Sequence, residues 1–144
     1  MIGWLYKLAD SARDRGRRRF WPAGHADGRR AEDLAHRFLQ KRGMVIVARN
    51  YRPPAGGGEI DLIGWDGDRL SFIEVKARAG DRYEAPEHAV DLEKQRFLER
   101  AARDYARRAG VNWTQVRFDI VSVVFSRPVR IDLFADAFEP RRTV

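Results

Sequence analysis

Two short segments, Gly58-Glu59-Ile60-Asp61-Leu62-Ile63 and Phe72-Ile73-Glu74-Val75-Lys76-Ala77-Arg78, constrain this chain more than any other part of it. Both read as strands, with charged residues spaced between apolar ones. Side chains alternate across a strand, so Asp61 and Ile63 share one face. On the same rule, Glu74, Lys76 and Arg78 share one face of the next strand. The gap between the segments contains Asp66-Gly67, a strong hairpin-turn signal. Folding the strands back on each other brings Asp61, Glu74 and Lys76 together. Two carboxylates with an ammonium beside them make a hard, oxygen-rich cation site, the equipment of metal-assisted phosphodiester hydrolysis.

The charge balance points to the same class of partner. The net charge is +7 and the pI is near 10.3, as expected of a chain that meets a polyanion, most simply nucleic acid. The excess is uneven. Residues 1–30 hold eight Lys/Arg against three Asp/Glu, whereas the remaining 114 residues hold 20 against 18. The basic excess is therefore mostly an N-terminal arm over residues 1–24, densest at Arg13, Arg15, Arg17, Arg18 and Arg19. Arginine supplies 24 of the 28 basic residues, so the four lysines (Lys7, Lys41, Lys76 and Lys94) stand out. The absence of cysteine removes disulfides, thiolate catalysis and zinc ribbons. It is compatible with a reducing cytoplasm, the expected location. Ile2 to Leu8 is too short for a signal-peptide core and contains Lys7, and no apolar run approaches a membrane span.

Periodicity supplies the rest of the architecture. Ala31, Leu34, Ala35, Phe38 and Leu39 mark a helix from about Arg29 to Arg42, stopped by Gly43. The Trp21-Pro22-Ala23-Gly24 stretch reads as a breaker that separates the loosely ordered arm from the domain. A first strand covers Met44 to Tyr51, and Arg52 to Gly58 is a flexible loop. The third strand covers about Arg69 to Arg78, and residues 79–90 form a loop. A second helix over about Asp91 to Arg108 carries Leu98, Ala101, Ala102, Tyr105 and Ala109 on one face and stops at Gly110. Strands at Gln115 to Phe125 and Val129 to Phe134 complete the chain, with Phe138 placed to pack on the core. The order is helix, three strands, helix, two strands, an α/β fold with a mixed central sheet and flanking helices.

The spacing Asp61…Glu74-Val75-Lys76 resembles the PD-(D/E)-x-K nuclease superfamily. More narrowly, the chain resembles the YraN family of uncharacterised bacterial proteins, similar to archaeal Holliday-junction resolvases. The likeness runs from about Gly28 to Phe138. It rests on Ala31-Glu32-Asp33-Leu34-Ala35, Arg49-Asn50-Tyr51-Arg52, the two strand segments, Val90 with Lys94, Arg117-Phe118-Asp119 and Ala137-Phe138. It implies a restriction-endonuclease-like core, with residues 25–144 as one nuclease-like domain. The implied activity is Mg²⁺-dependent hydrolysis of structured or branched DNA, with Mn²⁺ as a substitute ion. A homodimer is compatible with it, because resolvase-like relatives work as two-fold dimers.

The resemblance also implies roles. Asp61, Glu74 and the Val75 carbonyl would hold the ion, Lys76 would stabilise charge at the attacking water or scissile phosphate, and Glu32 would complete the site. The alternative for Lys76 is an ion pair with Asp61 or Glu74. The alternative for Glu32 is a solvated Glu favoured by the helix dipole. Arg78, Lys94, Arg52 and the arm residues Arg17, Arg18 and Arg19 are the expected nucleic-acid contacts. Lys94 lies one helical turn before Leu98, on the side facing the sheet. Arg117 and Asp119 read as a structural pair. The three histidines show no ligand spacing. Two rival readings keep the same fold: a DNA-binding module without catalysis, and an accessory protein that meets a protein partner through the aromatic arm.

Overall fold

A hairpin places the two signature segments side by side, and the rest of the sheet is built outward from it. The computed structural model describes residues 22–79 and 90–139. Strand β2 (Ile60–Asp66) pairs antiparallel with β3 (Arg69–Ala79) through a two-residue turn, with Asp66 opposite Arg69. Gly67 has φ +61° at the first of the two central positions. That position demands positive φ in a type II′ turn, which only glycine supplies cheaply. β1 (Val45–Tyr51) pairs antiparallel with the other side of β2 and is bulged between Ile46 and Ala48.

β3 pairs in parallel with β4 (Val116–Phe125), and β5 (Arg130–Phe134) closes the far edge antiparallel to β4. The sheet order is β1-β2-β3-β4-β5. Parallel pairing of β3 and β4 requires a crossover. Helix α2 (Leu92–Ala109) supplies it. α2 buries Phe97, Leu98, Ala101, Ala102 and Ala106 against Ile63, Phe72, Phe118 and Ile120 on one sheet face. Helix α1 (Pro22–Lys41) covers the other face. Its Ala31, Ala35 and Leu39, one turn apart, pack on Leu62, Ile73, Val75, Val121 and Val123. The result is three layers, helix on sheet on helix. Among the described residues no helix is long and apolar enough to cross a membrane.

Several boundaries differ from the sequence reading. α1 begins at Pro22, not near Arg29. A proline at the first helical position has no N–H to lose and brings a pre-set φ, so Pro22 starts a helix here instead of breaking the chain. Residues 22–24 thus belong to α1. The rest of the arm and the loop at 80–89 lie outside the described residues. β2 begins at Ile60, so Gly58 and Glu59 precede the strand. A one-turn 3₁₀ helix at Trp113–Gln115 lies between α2 and β4 and was not anticipated. Asn112 caps it, its side chain accepting from Thr114 N–H while Gln115 reaches back to the Asn112 N–H. Phe138 stacks on Phe118 with ring centroids 5.0 Å apart.

Arg117 and Asp119 form a buried network. The Arg117 Nε and Nη2 donate to both Asp119 carboxylate oxygens at 2.8–3.0 Å, and Nη2 also donates to Asp66 at 2.9 Å. Asp119 further accepts from Ser71 Oγ at 2.5 Å and from the Asp136 N–H at 3.0 Å. Burial opposes the charge on Arg117, but the hydrogen bonds and charges of Asp119 and Asp66 outweigh it and hold the guanidinium pKa above the ordinary arginine value. Removing one partner from such a pair leaves the other charged and buried. Asp119→Ala should therefore destabilise the protein by about 3–5 kcal/mol in urea unfolding, and Asp119→Asn by less.

Candidate metal centre

The centre forms where β2 leaves β3. Their backbone pairing runs from Asp66 opposite Arg69 only as far as Leu62 opposite Ile73. β2 continues to pair with β1 at Ile60. At the point of departure Asp61 turns its side chain across the gap, and its Oδ2 accepts the Val75 N–H at 2.8 Å. A carboxylate thus takes the place of the missing strand partner. Strict alternation breaks here as well. Ile60 and Ile63 both join the core under α2, whereas Leu62 joins the core under α1. The Asp61 side chain is aimed at the β3 backbone, at the residue where the strand loses its partner.

Glu74 and Lys76 project from β3 on the α2 side, two and four residues beyond the buried Phe72. Both are buried, Glu74 to 1% exposure. Glu74 Oε2 lies 3.4 Å from Lys94 Nζ. Lys94 sits in the first turn of α2, where Asp91 Oδ1 accepts its backbone N–H at 2.8 Å. Its Nζ also donates to the Glu59 carbonyl at 3.0 Å. Lys94 therefore reaches inward to Glu74 and to the entry of β2. Arg78 is half-buried farther along β3.

Glu32, in α1, is brought to the same end of the sheet but to a different partner. The Asn50 amide Nδ2 donates to Glu32 Oε1 at 3.0 Å and to Glu59 Oε1 at 3.1 Å. One amide thus spans two carboxylates. Asn50 has φ +52°, a conformation that asparagine tolerates better than most residues. The far oxygen of Glu59 pairs with Arg52 Nε at 3.1 Å, which places Arg52 on the exposed rim. Arg49 pairs with Asp33 and stands 3.9 Å from Glu32. Its hydrogen bond holds the Asp33 carboxyl below the usual aspartate value. That pair contributes above the ordinary aspartate pKa and is lost in acid, and being exposed it is worth little. Gly57, at φ +95°, lets the loop before β2 lie on α2, where an added Cβ would come within 3.3 Å of the Phe97 ring.

Among the described residues no three His, Asp or Glu side chains gather closely enough to enclose an ion by themselves. Asp61 meets the backbone beside Glu74 at the Val75 N–H, and Glu32 and Glu59 converge on Asn50. Arg17, Arg18 and Arg19 lie outside the described residues. Sequence reasoning did not anticipate the bridging part played by Asn50 or the use of the Glu59 backbone as an acceptor. The Arg49-Asn50-Tyr51-Arg52 block carried the only signal for the first, and the buried position of Lys94 for the second.

The model of the uncharacterised protein family UPF0102 matches residues 31–123. The chain belongs to the UPF0102 family. It is 54% identical to a UPF0102 protein of Solibacter usitatus over 138 residues, 96% of this chain and all of the relative. A UPF0102 protein of Koribacter versatilis is 50% identical over 101 residues, 70% of each chain. One of Rhodococcus jostii is 42% identical over 113 residues, 77% of this chain and 94% of the relative. The UPF0102 match takes in Glu32, Asn50, Asp61, Glu74, Lys76 and Lys94.

Asn50→Asp replaces a shared donor with a third carboxylate between Glu32 and Glu59. It should lower stability by on the order of 1 kcal/mol. The loss should shrink as salt is raised, which thermal unfolding at low and high ionic strength will read.

Proposed function

We propose that this UPF0102 protein is a divalent-cation-dependent phosphodiesterase of structured or branched DNA, built on a restriction-endonuclease-like core of the PD-(D/E)-x-K type. The observation that carries the reading is the 2.8 Å contact of Asp61 with the Val75 N–H, which sets one buried carboxylate against the peptide that follows the other. In an extended strand the N–H and C=O of a residue face the same neighbour, so Val75 turns its carbonyl toward the same edge.

The donor set suits Mg²⁺ or Mn²⁺. Mg²⁺ takes one or two carboxylates and keeps several waters, so a third acid is not required. Asp61, Glu74 and the Val75 carbonyl would hold the ion. When bound it supplies Lewis acidity, making water a better nucleophile and offsetting charge on the phosphate. Lys76 shares the Glu74 face of β3 and brings a buried ammonium to stabilise charge that develops on the phosphoryl oxygens. Arg52 and Arg78 are placed to meet the backbone farther out, and Glu32 steadies the rim through Asn50. The strongly basic residues 1–21 add sequence-blind contacts to phosphate.

Purified protein with Mg²⁺ or Mn²⁺ should cleave labelled four-way junctions or flaps. Asp61→Asn and Glu74→Gln should reduce cleavage by roughly 100-fold or more, the scale of several kcal/mol of transition-state stabilisation, while DNA binding persists. Equal cleavage by wild type and either variant would reject the assigned roles. Deleting residues 1–21 removes six Lys/Arg and should weaken DNA binding and flatten its dependence on salt, read by anisotropy titrations at several ionic strengths.

A second reading, a DNA-binding module without cleavage, is favoured by one observation: the protein already supplies Glu74 with a cation in Lys94. Binding that survives EDTA, with no cleavage of junction, flap or single-stranded substrates, would decide for it.

A further inference from the structure

Lys94 is a buried cation beside the centre that the proposed chemistry leaves unused. Its side chain is 3% exposed. Its Nζ donates to the Glu59 carbonyl at 3.0 Å, stands 3.4 Å from Glu74 Oε2 and lies 5.2 Å from the centre of the Phe97 ring. The backbone beneath it is fixed by the Asp91 cap. Lysine is almost never fully buried unless it is paired. For stability alone, well-packed apolar residues of similar volume would often serve as well as a buried ion pair. What the ammonium adds is a positive charge held against Glu74 Oε2, tied at once to the entry of β2 and to the start of α2.

We propose that Lys94 is a resident counter-cation of Glu74, and that it competes with a divalent ion for that carboxylate. This rests on the reading of Asp61 and Glu74 as a metal centre. Two consequences follow from the geometry. Lys94 Nζ already stands against Glu74 Oε2, so the centre takes one divalent ion per chain. The ammonium and the ion share a carboxylate and repel each other. At the effective dielectric of a partly buried site, such repulsion is worth roughly a tenfold change in affinity or more. Lys94 thus weakens ion binding while keeping the ion-free centre folded. It is a positioning residue, acting on the reaction through Glu74.

The test uses the full chain with Mn²⁺ alone. Bound ion is counted by electron paramagnetic resonance, and thermal unfolding is followed by circular dichroism with and without Mn²⁺. Wild type is expected to bind one Mn²⁺ per chain. Lys94→Met is expected to unfold at lower temperature without the ion, yet to bind it roughly tenfold more tightly or more. Mn²⁺ should then raise the Tm of that variant by more than it raises the wild-type Tm. Lys94→Arg, which keeps the charge, should return the affinity to near the wild-type value. Lys94→Gln is a second neutral variant should Lys94→Met fail to fold, since it retains a donor for the Glu59 carbonyl. A purely structural lysine gives the opposite sign, because loosening Glu74 weakens Mn²⁺ binding. Equal or weaker binding by the neutral variants, or two ions on wild type, overturns the proposal and leaves the metal centre standing. Wild type that binds no Mn²⁺, like Glu74→Gln, removes the metal centre and this inference with it.

Discussion

The bond from the Val75 N–H to Asp61 Oδ2 decides the local geometry of this end of the molecule. A strand that leaves its neighbour exposes a row of backbone donors and acceptors, and buried ones are rarely left unmade. Here β2 parts from β3 beyond Leu62, and a carboxylate from the departing strand fills the first open position. The Asp61 carboxylate is thereby set against the peptide that joins Glu74 to Val75. The opening between the strands supplies a place for charge that a regular ladder would not, and Lys94 reaches into it from α2.

The sheet carries two buried charged groups of different character. Arg117, Asp119 and Ser71 are closed, their bonds satisfied within the protein, with Asp66 joining them from the half-exposed hairpin end. Closed networks of this kind rigidify a core. The group around Asp61 and Glu74 has a rim built from Asn50, Glu59 and the exposed Arg52. This difference, more than the number of charges, separates a structural network from a candidate site. Net positive charge alone makes no such separation, since it speaks to partners and solubility and not to any one residue.

Much of the architecture was legible because hydrophobic period reports directly on burial. The stripe Ala31, Ala35, Leu39 and the run Leu98, Ala101, Ala102 each face the sheet as their spacing demands. The pairing of Arg117 with Asp119 was also legible, from alternation on one strand. The start of α1 was not, because Pro22 and Gly24 weigh against a helix until the first-turn position of the proline is known. The break at Asp61 was hidden for a related reason. Alternation presumes a strand partnered throughout, and the loss of the partner is a tertiary fact. The bridging of Glu32 and Glu59 by Asn50 depends on a left-handed backbone at residue 50, which no spacing rule reports.

The parallel pairing of β3 with β4 joins residues as far apart in sequence as Leu70 and Val116. The β1-β2-β3 meander is assembled from near neighbours along the chain, while β4 docks only after a long excursion through α2. Closing that excursion is the slow, entropically costly step of such a topology. Asp61, Val75 and Asn50 all belong to the local unit, whereas Lys94 arrives with the excursion. The acids and Lys76 are thus near neighbours along the chain, whereas the second cation at Glu74 is joined to them only through the crossover.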